Sequence, residues 1–120
     1  MSRILTEQEL HNLAMNIVGH TLEDDGFEFL AVNSELEKNP QFVCTKDGVL
    51  HFIIVCAIVY PGNPNDKPTP LLTKMRNHAE KFEAKTFYAG VGLHKSGDET
   101  APLNLNDEYV VTYNGLRQVS

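Results

Sequence analysis

Four positions of one predicted hairpin carry the arrangement that could do chemistry: Asn39, Gln41, Ile54 and Cys56. Asp47-Gly48 separates two apolar runs, and both residues of such a turn reach positive φ readily, as a tight hairpin requires. A turn there sets Lys46 opposite Val49, Cys44 opposite His51, Phe42 opposite Ile53, Gln41 opposite Ile54 and Asn39 opposite Cys56. Positions 39, 41, 54 and 56 then share one face. Two carboxylates on such a face would hold a divalent cation, which would activate a water. The residues present do not supply this: Gln41 offers one neutral amide oxygen and Ile54 none. The face is expected to form a small pocket without metal.

The other chemistry-bearing residues are scattered. His11, His20, His51, His78 and His94 form no HxxH, HxxxH or HExxH pair. His51 shares a hairpin face with Cys44 and Ile53, and the second predicted helix presents His78 from its apolar side. If that helix covers this face, His51 and His78 meet; otherwise each is a buried imidazole with one hydrogen bond. Asp24-Asp25 and Glu35/Glu37 sit at a helix end and in a loop, where solvated acids are expected. Cys44 and Cys56 fall on opposite faces and read as reduced, buried thiols. There is no Gly-rich phosphate loop, no G-x-S-x-G elbow and no Cys-x-x-Cys, and Gly90-x-Gly92 lies inside a strand. No cofactor is expected.

The elements that must position these residues read as follows. Thr6-Glu7-Gln8-Glu9 is a capping box, flanked by Leu5 and Leu10 as a hydrophobic staple. Leu10, Leu13, Ala14, Ile17 and Val18 continue as the stripe of a helix ending near Leu22 or Glu23. Phe27 to Asn33 alternates as a first strand, with Phe27, Phe29 and Ala31 on one side. The hairpin supplies the second and third strands. Phe52 to Val59 has no polar alternation, so the third strand is central and covered on both faces. Residues 61–70 hold four of the six prolines and form a loop. Thr69 is expected to cap a second helix with Pro70 at its first position, ending near Glu83 or Ala84. A fourth strand, Thr86 to Leu93, sets Gly90 and Gly92 on one face, where something can approach the backbone closely. Glu108 to Tyr113 is a fifth strand, and Asn114-Gly115 turns the chain into a short sixth piece at Leu116 to Val119.

A chain of 120 residues is large enough for one core, so a single domain spanning 1–120 is expected. No apolar run is long enough to span a membrane. The N-terminus lacks the apolar region of a signal peptide, which points to the cytoplasm. The net charge of −6 is unevenly spread. Residues 67–95 carry six Lys/Arg against two Asp/Glu, whereas residues 1–66 carry three against ten. An acidic chain is a poor non-specific binder of nucleic acid. The feature on the other side is a basic helix with Lys74, Arg76, Lys81 and Lys85.

The element order, helix, three strands, helix, strand and further strand, resembles the restriction-endonuclease-like, or PD-(D/E)xK, superfamily from about Thr6 to Leu93. Pro40-Gln41 stands where that family has Pro-Asp, and Ile54-Val55-Cys56 stands where it has Glu-x-Lys. The resemblance implies an α+β fold of α/β-sandwich type around a central mixed sheet, with a vestigial site at Asn39, Gln41, Ile54 and Cys56. His51 and His78 are secondary candidates. The function expected is a non-catalytic domain that works by binding or assembly, as a homodimer or with another protein. The alternative is an enzyme, a diverged nuclease or a small-molecule hydrolase, whose residues converge only in the fold.

Overall fold

The computed structural model describes residues 3–36 and 38–119. Glu37, read above beside Glu35, lies outside the described residues. Helix α1 (Glu7–Asp24) starts with the expected box: the Thr6 hydroxyl accepts from the Glu9 amide, and the Glu9 carboxylate accepts from the Thr6 amide. Arg3 also donates to Glu9 and, with the backbone bond, holds that carboxyl down to about 2. Three strands follow, β1 (Glu28–Val32), β2 (Phe42–Lys46) and β3 (Val49–Ile58). Helix α2 (Thr69–Glu80) leads to β4 (Lys85–Lys95), and β5 (Tyr109–Tyr113) and β6 (Arg117–Val119) complete the chain.

The strands make one mixed six-stranded sheet ordered β1-β2-β3-β4-β5, with β6 also on β4. Neighbours pair antiparallel except β3 and β4, which run parallel because α2 carries the chain back across the sheet. The result is an α+β domain, open at both sheet edges, with one helix on each face. The hairpin turns at Asp47 (φ 54°) and Gly48 (φ 78°), and its register sets Phe42 opposite Ile53 and Cys44 opposite His51, as the turn residues dictate.

β3 is the centre of both cores. Ile53 and Val55 pack beneath α1 with Ala14, Val18 and Leu22, while Ile54 packs beneath α2 with Leu72, Met75 and Tyr88. Phe52 to Val55 are all buried, which accounts for the first half of the apolar run; Cys56 to Ile58 are only half-buried, and Val59, beyond the strand, is exposed. Gly90 and Gly92 accommodate the proline loop: a Cβ on Gly90 would strike the Pro64 carbonyl, and one on Gly92 would lie 2.8 Å from Pro64 Cγ. Asn65 ties that loop to the C-terminal segment, its side-chain oxygen accepting from Asn114 at 2.9 Å and Arg117 at 3.0 Å.

Four expectations change. The pairs Gln41–Ile54 and Asn39–Cys56 do not form, because β2 leaves β3 after Phe42. In β1 a bulge at Leu30, between the pairs Phe29–Cys44 and Ala31–Val43, shifts the alternation, and every residue of this edge strand is exposed. Thr69 does not cap α2: Pro68 is the N-cap, without a side-chain bond, and the Thr69 hydroxyl donates to the Lys67 carbonyl at 3.4 Å. α2 also stops at Glu80, and Glu83 takes a positive φ that a helix cannot continue through.

Candidate functional site

Gln41 determines the local geometry. Its amide donates to the Ile53 carbonyl (3.0 Å), its carbonyl accepts from Asn33 (2.7 Å), and its side-chain Oε1 accepts from the Val55 amide (2.8 Å). A side chain therefore takes the place of the next ladder bond, and the backbone before Gln41 turns away from β3. Gln8 receives that diverging segment: its Nε2 donates to the Ser34 carbonyl (2.7 Å) and to Asn12 Oδ1 (2.9 Å), while its Oε1 accepts from Leu36 (3.0 Å).

The divergence opens a cavity of about 320 Å³ beside the C-terminal half of β3. Leu10 and His11 line it from α1, Leu36, Asn39 and Gln41 from the segment entering β2, and Val55, Cys56, Ala57 and Val59 from β3 and its exit. Leu71 of α2 and Glu7 complete the lining. Its volume is at the small end of the roughly 300–1,000 Å³ typical of ligand sites.

Among the described residues, two side-chain atoms of lining residues are buried without a hydrogen-bond partner: His11 Nε2 and Asn39 Oδ1. His11 is only 2% exposed. Burial pushes its pKa below the ordinary 6.5, since the imidazolium would lose its hydration. Burial also raises the Cys56 thiol, so it remains protonated. A larger cavity, about 400 Å³ between α1 and residues 103–109, differs in that its acidic groups are engaged. There Glu9 is held by Arg3 and Thr6, and Asp107 accepts from the Asn104 amide and contacts Lys95 at 3.4 Å.

Of the four positions singled out in the sequence, Asn39, Gln41 and Cys56 line this one cavity, and Ile54 does not. Ile54 faces α2, inside the Leu72–Met75–Tyr88 cluster. His51 and His78 do not meet. His51 stacks on Phe87 and lies edge-on to Phe27, both at 4.9 Å, on the α1 face; His78 lies against Phe52 and Phe82 at 6.0 and 5.2 Å, on the α2 face. Cys44 and Cys56 are both free, and burial carries Cys44 up to about 11. The basic helix reduces to Lys74, exposed, and Arg76, half-buried: α2 ends at Glu80, so Lys81 is its C-cap and Lys85 opens β4, both exposed. Among the described residues, no group of three or more His, Cys, Asp or Glu side chains converges on a metal position. None of their helices is long and apolar enough to cross a membrane.

Sequence reasoning gave His11 no role and passed over Gln8. His11 sits one residue after the staple Leu10, and its inward orientation follows from the helical phase (His11, Ala14, Met15 and Val18 are all buried). Helical spacing from the buried stripe was the available signal.

A family model described as a domain of unknown function (DUF8840) matches residues 8–119. The chain belongs to the DUF8840 family. That match runs from the first turn of α1 to the end of β6, so the family domain contains both cores and, apart from Glu7, every residue lining the cavity. No curated protein and no solved structure matches the chain.

The neutral state of His11 has a measurable consequence. The unfolded chain takes up a proton near the ordinary value of 6.5, and the folded chain does so only at lower pH. The His11 contribution is therefore present above pH 6.5 and is lost as pH falls through the folded-state value. Urea midpoints measured at pH 7.5 and 5.5 should fall more for the wild type than for His11→Gln. Equal losses in the two proteins would show that His11 is not held neutral.

Proposed function

We propose that the domain is a non-catalytic binding module on a diverged restriction-endonuclease-like core, with the cavity beside β3 as its ligand site. One observation carries the proposal: His11 and Asn39 line the same small cavity, and among the described residues their buried Nε2 and Oδ1 have no hydrogen-bond partner. Leaving such an atom unpaired costs about 1–3 kcal/mol, and a ligand met by a turn of either side chain towards the cavity removes that cost on binding. The resemblance to the nuclease core rests on the antiparallel β1-β2-β3 meander, the α2 crossover to a parallel β4, and the cavity's position where β2 parts from β3.

The residues oppose a catalytic reading of the cavity. A nuclease of that core would place acidic oxygens at positions 41 and 54. Here the Gln41 oxygen is engaged by Val55, and Ile54 lies in a different core. A cysteine hydrolase would need His11 bonded to Cys56 and a thiol of lowered pKa. The imidazole nitrogen is unbonded, and the thiol is shifted the other way.

The test is a screen of uncharged polar fragments, acetamide, pyrazole and N-methylacetamide among them, followed through backbone amide resonances. Shifts should converge on His11, Asn39 and Ala57 and disappear in Asn39→Leu, and plasmid DNA should stay intact in Mg²⁺ or Mn²⁺. Fragments that collect at Leu103–Tyr109 instead, or metal-dependent cleavage abolished by Gln41→Ala, would overturn the proposal.

Assembly is a second reading with its own observation. β5 is an outer edge strand without a charged residue, and its Tyr109, Val110 and Val111 are 41%, 50% and 40% exposed. Such an edge invites pairing with a second chain, and a two-fold dimer through β5 satisfies it. Sedimentation equilibrium at micromolar concentration should give twice the 13.4 kDa chain mass. A single species at the chain mass would dismiss the dimer.

A further inference from the structure

We infer that the cavity takes an extended, uncharged peptide segment, which adds to β3 where β2 leaves it. The inference rests on the binding reading above and specifies its ligand.

The β2–β3 ladder ends at Phe42–Ile53, yet β3 continues to Ile58. In a strand, the backbone N–H and C=O of alternate residues point to the same side. The Ile53 carbonyl and the Val55 amide both bond towards β2, through Gln41. Residues 53, 55 and 57 therefore direct their backbone to that side, and 54, 56 and 58 direct theirs to β4, their parallel partner. Gln41 satisfies the Val55 N–H. The Val55 C=O, the Ala57 N–H and the Ala57 C=O follow in sequence along the cavity wall, where β2 no longer runs.

That series, acceptor, donor, acceptor, is the edge of a strand awaiting its neighbour. Another strand matches it: a peptide residue opposite Ala57 offers a carbonyl to its N–H and an N–H to its C=O, with the flanking residue donating to Val55. The walls suit such a chain. Successive side chains of a strand point to opposite faces, and the cavity has apolar surface on both: Leu10 with His11 on the α1 side, Leu71 with Cys56 on the α2 side. His11 and Asn39 add polar side chains to the wall; their Nε2 and Oδ1 are covered in the free protein and reach a ligand only by a turn of the side chain. Among the described lining residues Glu7 is the charged one, and it disfavours an acidic side chain.

The probe is N-acetyl-trialanine amide, titrated into the ¹⁵N-labelled full chain, beside the same peptide methylated on every backbone nitrogen. A third probe carries the three alanines inside a twelve-residue glycine–serine chain. The Val55 and Ala57 amides should shift with trialanine, and N-methylation should weaken binding at least tenfold. Equal binding of the twelve-residue probe identifies an internal segment of a longer chain as the ligand; binding of the short peptide alone identifies a free short peptide, and both support strand addition. Equal binding of the methylated peptide would overturn it. Uncharged fragments that bind the cavity while trialanine does not would overturn the peptide inference and leave the binding reading standing. Absence of binding by either class would remove both.

Discussion

The hydrogen bond from the Val55 amide to the Gln41 side chain is the constraint on which the rest of the site depends. A strand that parts from its neighbour leaves polar backbone groups behind, and a buried amide without a partner is costly. Gln41 satisfies the first such amide with a side-chain oxygen, so the backbone of its own segment is free to turn towards α1. There Gln8 takes up Ser34 and Leu36, and the turn is held at both ends. Without the Gln41 oxygen, the Val55 amide would be left unpaired at the point where the strands part.

The cavity costs the fold little, because β3 is secured elsewhere. Its two faces enter two separate cores, Ile53 and Val55 under α1, Ile54 under α2, and its other edge pairs with β4 from His51 to Ile58. Fully burying an apolar side chain of this size contributes about 1.5–3 kcal/mol, so four consecutive buried residues, with β4 along the other edge, anchor the strand beyond the point where β2 leaves it. That redundancy permits a polar opening at the strand's exit. The proline loop has the complementary arrangement: it lies on Gly90 and Gly92, where any side chain would displace it.

Much of this was legible in the residues. Thr6 and Glu9 declared the start of α1, Asp47-Gly48 set the hairpin register, and the unbroken run from Phe52 marked the central strand. The two glycines of β4 announced a close approach, though not that Pro64 would make it. What stayed hidden depended on breaks in regularity. Extending the hairpin register beyond Phe42 treated Gln41 as one more strand residue, and only a three-dimensional path shows its side chain replacing its backbone. Ile54 was placed in the pocket by that same extension. The bulge at Leu30 upset the phase of β1 in the same manner, since a single extra residue reverses every later face. His51 and His78 were separated by a choice that periodicity leaves open: which helix covers which face.

Amide hydrogen exchange along β3 tests the central claim most directly, that Gln41 closes the strand edge at Val55 and leaves it open at Ala57. Protection reports whether each N–H is held in a stable bond. The amides of Ile54, Val55 and Cys56 should exchange slowly, and that of Ala57 should exchange many times faster than any of the three. An Ala57 amide as protected as that of Val55 would mean that the edge is already occupied within the chain, and the account of the site would be contradicted.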